Sequence, residues 1–171
     1  FPAGVSPLTG LPVSNPENLK LPAVLVSLSN FPPSVRPQTG LSFAPQVYEV
    51  YITEGMTRLL TVFYGDLPGD AGTSGPAATA TPGSAGGSGS SSSGSGGSAQ
   101  LGAIENPGDM VSGVRSGREA YVPIINAFPN GCLVAASKSA SVNVNICRNV
   151  YGRNPNDINS AGLTFDQIKA L

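Results

Sequence analysis

Four stretches of this chain have the apolar rhythm of β-strands. Ala23-Val24-Leu25-Val26-Ser27-Leu28-Ser29 is apolar on both faces for its first half, the pattern of a central strand. Gln46 to Thr53 and Thr57 to Tyr64 are rich in Val, Ile, Tyr, Thr and Leu, and Glu54-Gly55 between them has the form of a tight two-residue hairpin turn. That register sets Thr53 opposite Met56 and Tyr51 opposite Arg58, with Glu49 diagonally beside Arg58 on the same face. Cys132-Leu133-Val134-Ala135-Ala136 predicts the fourth strand. Helical spacing appears at Ala120, Tyr121, Val122, Ile124, Ile125, Ala127 and Phe128. Ser116, three residues before Glu119, supplies a capping box at its start, Pro123 should kink the helix about two turns in, and Asn130-Gly131 ends it. A second capping box, Thr164-Phe165-Asp166-Gln167, starts a helix that reaches the chain end within a few residues.

Between these elements the chain is punctuated. Residues 1–20 carry Pro2, Pro7, Pro12 and Pro16 and predict an extended arm lying on the domain, with successive turns over Ser6 to Pro12. Two prolines and a glycine make Ser34 to Leu41 a loop leaving the end of the central strand, where Arg36 occupies a usual place for binding groups. Residues 71–99 are almost pure Gly, Ser, Ala, Thr and Pro, too poor in apolar surface to offset ordering entropy, and predict a flexible loop. Each flank offers too few strands for a domain of its own, so this loop is an insertion within one domain over residues 21–171. The expected fold is α/β, with α+β the alternative: a single mixed sheet flanked by a few short helices and interrupted by a long disordered Gly/Ser-rich insertion.

Composition removes several function classes. Nine basic residues against ten acidic ones leave no charge surplus to hold nucleic acid or an anionic membrane. Histidine is absent and cysteine occurs twice, which excludes a Ser-His-Asp triad, a histidine zinc site and a four-thiolate metal site within the chain. No metal or cofactor is expected. No run approaches the roughly 20 apolar residues of a transmembrane helix. The opening Phe1-Pro2-Ala3-Gly4-Val5, the Ser/Gly/Thr/Pro tract and the paired cysteines together fit an extracytoplasmic protein with a processed N-terminus. The unfinished final helix fits a fragment, or a chain completed by a partner.

Cys132 and Cys147 lie symmetrically about Ser139-Ala140. Either a hairpin returning Val142 to Cys147 onto Cys132 to Ser137, or a helical turn over Ser139 to Ile146, brings them close. Both readings favour a structural disulfide, since no Cys-x-x-Cys or histidine is present to activate a thiol. The candidate chemistry gathers at Gly113-Val114-Arg115-Ser116-Gly117-Arg118-Glu119, where two arginines and a hydroxyl stand against one carboxylate. The surplus positive charge at an expected helix start points to a small anion site for phosphate, sulfate or carboxylate, the alternative being structural ion pairs.

Arg36-Pro37-Gln38-x-Gly40-Leu41, Val47-Tyr48-Glu49, Glu54-Gly55-x-Thr57-Arg58-Leu59 and Val114-Arg115-Ser116-x-Arg118 occur in the order and spacing of the YerB-like lipoproteins, a bacterial family without an assigned reaction. The chain resembles that family over roughly residues 20–170 apart from the insert. The resemblance implies an exported, typically membrane-anchored α/β domain, commonly followed by a second domain that this sequence lacks. Departures are the insert, Gly117 where alanine is usual, Ala120 where a proline is usual, and the missing lipid-attachment cysteine.

Three functional expectations follow. The first is a cell-envelope binding or assembly domain that takes an anionic small molecule or cell-wall glycopolymer through Arg36, Arg58, Arg115, Ser116 and Arg118. The second is an enzyme on phosphorylated or glycan cell-wall substrates, with Glu54 or Glu49 as acid-base catalyst. The third is a structural subunit joined to protein partners in a larger surface assembly.

Overall fold

The structure is a computed structural model of the 171-residue chain that describes residues 2–36, 38–67, 70, 110–152 and 161–171. The insertion expected at 71–99 lies outside the described residues. Five strands form a mixed sheet in the order β2-β3-β1-β5-β6: β1 is Val24–Ser29, β2 Gln46–Thr53, β3 Met56–Phe63, β5 Cys132–Ala135 and β6 Ile146–Asn149. β2, β3 and β1 are antiparallel neighbours, whereas β1 to β5 and β5 to β6 are parallel. A two-stranded antiparallel sheet pairs β4, Met110–Ser112, with β7, Gly162–Thr164.

All six residues of β1 are buried because both faces of the sheet are covered. On one face Val24, Val26 and Leu28 pack with Leu59, Phe63 and Val134 against Val111, Leu163 and the short helix α2, Phe165–Lys169. Phe165 contributes edge-on ring contacts to Phe43 and Phe63, at 5.7 and 5.6 Å between centroids. On the other face Leu25, Leu60, Val62 and Leu133 pack against Tyr121, Ile125 and Val142. The Thr164 box expected from the sequence caps α2: Gln167 N–H donates to the Thr164 hydroxyl, and the Gln167 side chain accepts from the Thr164 amide. The N-terminal arm folds back through a Val5–Pro12 bridge and a 3-10 turn over Pro16–Lys20, and is fastened to the loop after β3 by Asp66.

Five sequence expectations are corrected. The β2–β3 register slips between Tyr51 and Thr53, so that Thr53 faces Met56 as expected but Tyr51 faces Thr57 and Val50 faces Arg58. One extra residue reverses the parity of everything upstream, which puts Glu49 and Tyr51 on the sheet face opposite Arg58. The cysteines do not face each other across a hairpin or a helical turn: the chain from 136 to 145 returns to the start of the sheet edge and lays β6 parallel to β5. The Cys132–Cys147 disulfide forms in this arrangement with the two Cα atoms 5.4 Å apart. The helix expected after Ser116 is only a 3-10 turn, Glu119–Tyr121, followed by α1, Val122–Asn126. Pro123 therefore lies in the first turn of α1, where no amide is needed, and introduces no kink. Ser116 caps neither element, because its oxygen atoms are already engaged by Arg58.

Candidate functional site

The site is built where two parallel strands part. β1 and β5 pair over Val24–Val26 with Cys132–Val134, and beyond that point the segment 113–117 enters the gap between them. On the β1 side the Ser29 amide donates to the Gly113 carbonyl and the Arg115 amide to the Ser27 carbonyl. On the β5 side the Ala136 amide donates to the Arg115 carbonyl and the Gly117 amide to the Ser137 carbonyl. Arg115 is thus clamped from both sides at the carboxyl end of the parallel pair, the position at which open sheets place ligands. Val114 is buried against Leu28 in the first core, so strand alternation turns Arg115 toward the opposite face, which Arg58 shares.

Arg58 is fixed by what it holds. Its Nη1 donates to the Ser116 carbonyl at 2.6 Å and to the Ser116 hydroxyl at 2.9 Å, which ties β3 to the inserted segment. The buried Tyr121 hydroxyl stands beside the same guanidinium and accepts from the Ser27 hydroxyl at 3.3 Å, while Ser27 also approaches the Ser116 carbonyl at 3.1 Å. Burial lowers the Arg58 pKa first of all, the neighbouring charges of Arg118 and Arg115 lower it further, and Tyr121 works in the opposite direction. Burial also lowers Arg115 and raises the Tyr121 phenol. An arginine lowered in this way still carries its proton at physiological pH, so three positive charges are held together against their mutual repulsion.

A cavity of about 210 Å³ opens between them, lined by Arg58, Arg115 and Arg118 with Ser29, Thr57 and Met56 among its other walls. Among the described residues, the only salt bridges are Lys20–Glu17 and Lys169–Asp70, so no carboxylate pairs with any of the three guanidinium groups. Arg118 also lines an adjoining cleft of about 490 Å³ that runs along Ser116 to Ala120 and the loop from Ser137 to Ser141.

The other sequence candidates go elsewhere. Arg36 donates through Nε to the Asn30 side-chain carbonyl at 3.0 Å and through Nη2 to the Asn30 main-chain carbonyl at 2.9 Å, and it does not line the cavity. Glu49 accepts from Asn30 at 3.1 Å and from Thr57 at 2.7 Å, so Asn30 bridges Arg36 and Glu49 without direct contact between the charges. Glu54 stands exposed at the hairpin tip with φ 49°, followed by Gly55 at φ 76°, the two left-handed residues that the tight turn demands. Neither carboxylate reaches the arginines. Sequence reasoning missed Ser27, Tyr121 and Ser29, whose roles depend on strand pairing, and Lys138, whose Nζ donates to the Val142 carbonyl at 2.8 Å. Among the described residues no group of three or more Cys, Asp or Glu side chains is placed to hold a metal ion.

Residues 8–81 match the family described as "Protein of unknown function (DUF3048) N-terminal domain". The crystal structure of YerB protein from Bacillus subtilis has the same fold, with a TM-score of 0.62 at 22% identity over 97% of this chain. The chain has a YerB-like fold. It spans about half of the Bacillus protein, 48% of that chain, and at this identity the likeness is one of fold. No curated protein matches. Within this chain the family match takes in Arg36, Glu49, Glu54 and Arg58, whereas Arg115, Ser116 and Arg118 lie beyond it. The cavity therefore joins a part of the chain inside the matched region to a part outside it.

Proposed function

We propose that this chain is an extracytoplasmic, envelope-associated binding domain that holds a small anionic group through Arg58, Arg115 and Arg118. The observation that carries the reading is the cavity itself: three arginines from two distant segments line one space, and among the described residues no carboxylate pairs with them. Guanidinium forks match the oxygen atoms of phosphate, sulfate and carboxylate, and partial burial strengthens the attraction relative to water. The disulfide supports placement in an oxidising compartment. Among the described residues no helix is long and apolar enough to cross a membrane. An acid-base role for Glu49 or Glu54 gains no support from the geometry, since neither lines the cavity.

Thermal unfolding in inorganic phosphate tests the proposal. Occupation at 100 times the dissociation constant stabilises a folded protein by about 2.7 kcal/mol, so the melting temperature should rise by several degrees. The rise should vanish in the Arg115→Ala/Arg118→Ala double variant. An equal rise in that variant would contradict the site.

A further inference from the structure

We infer that the ligand is a phosphorylated saccharide, with its phosphate in the arginine cavity and its sugar in the adjoining cleft. The inference rests on the anion-binding reading above and extends it to what the anion is attached to. Arg118 carries the argument, because with Ile52 it lines both spaces and so sets them side by side. On the cavity side, three unpaired positive charges match the charge of about −1.5 to −2 on a phosphate monoester better than the single charge of a carboxylate.

The cleft side has the chemistry of a polyol site. Its volume of about 490 Å³ lies within the ordinary range for small-molecule pockets. Ser137, Ser139 and Ser141 present hydroxyls that both donate and accept, Glu119 a carboxylate that accepts, and Lys138 an ammonium that donates. The Lys138 ammonium spends donors on the Val142 and Val144 carbonyls, at 2.8 and 3.4 Å, which pins it in the wall and leaves a third N–H. Ser139 and Ser141 share one hydrogen bond at 2.8 Å and keep their remaining capacity. A ring of alternating hydroxyls needs this mixture of donors and acceptors. A lipid tail would need an apolar trough, and of the lining residues Ile52 and Ala120 alone are aliphatic.

Isothermal titration of the whole chain with inorganic phosphate, N-acetylglucosamine, glucose 1-phosphate, glucose 6-phosphate and N-acetylglucosamine 1-phosphate tests this. At least one sugar phosphate should bind tenfold or more tightly than inorganic phosphate, and the free sugar should bind more weakly than either. The Ser139→Ala/Ser141→Ala variant should narrow the gap between that sugar phosphate and phosphate at least fivefold. If phosphate binds and no sugar phosphate binds more tightly, the saccharide inference falls while the anion site stands. If the gap is the same in the variant, the sugar is not in this cleft and the inference is overturned. If no probe binds, both this inference and the anion-binding reading fail.

Discussion

Arg58 shows how much one side chain decides in this molecule. It projects from β3 into a half-buried position where its guanidinium satisfies both oxygen atoms of Ser116 and so holds the segment that carries Arg115 and Arg118. Replacing it with methionine keeps the apolar stem but leaves the Ser116 carbonyl with a weaker set of donors. A buried acceptor deprived of its partner costs about 1–3 kcal/mol, so Arg58→Met should lower unfolding stability by that amount in urea titrations, with phosphate binding lost as well. A stability unchanged to within about 0.5 kcal/mol, the ordinary scatter of surface substitutions, would show that Arg58 is no strut. Gly117 is tight for a related reason: a Cβ there would stand 2.7 Å from the Leu133 Cδ2 atom in the closed core. At this scale the sequence was legible in composition and misleading in register. Arg58, Arg115 and Arg118 could be picked out as a charge surplus. The slip beside Ile52 could not, because no residue there marks a bulge, and that slip alone moved Glu49 away from Arg58.

Among the elements, legibility followed the range of the interactions. β1 and β2 and the cap at Thr164 were readable because apolar alternation and a three-residue spacing are local signals. The capping box at Ser116 failed because a distant strand competes for the same hydroxyl, which no local rule can register. The arm over the first 20 residues is the element most open to a pH test. Burial by itself would raise the Asp66 pKa, but hydrogen bonds from the Ser14 amide and hydroxyl, and from Asn18 and Asn15, outweigh it and hold the carboxyl below its usual value. A carboxyl depressed in the folded state stabilises the arm fully above the unfolded pKa, near 4, and the contribution is lost as pH falls through the lower folded value. Amide exchange protection at Ser14 should therefore be constant from pH 7 to 5 and fall below about pH 4, and Asp66→Asn should flatten that dependence. Protection that stays constant down to pH 2 in the parent chain would contradict the latch. Because Asp66 is only partly buried, the effect belongs to the arm and leaves global unfolding little changed.

For the molecule as a whole, the deciding feature is topological. β1 meets β5 in parallel although more than 100 residues separate them, and the gap beyond their pairing admits 113–117. A single mixed sheet was expected from the strand patterns, but the order of strands and the parallel β5–β6 pair rest on contacts far apart in sequence, where periodicity carries no information. The disulfide closes a separation of 15 residues across that parallel edge, for which the chain-entropy estimate is about 3 kcal/mol. It anchors the loop of serines and Lys138 that walls the cleft. The proposed anion site is at this scale a convergence of segments: β3 brings Arg58, the inserted segment brings Arg115, and the turn before α1 brings Arg118. The most direct test of that convergence is a nuclear magnetic resonance titration of the arginine Nε–Hε signals with inorganic phosphate. Saturable shifts at Arg58, Arg115 and Arg118 with one shared dissociation constant, and no such shift at Arg36, are the predicted result. Signals from the three that do not move, or that move with unrelated constants, would contradict a common anion site.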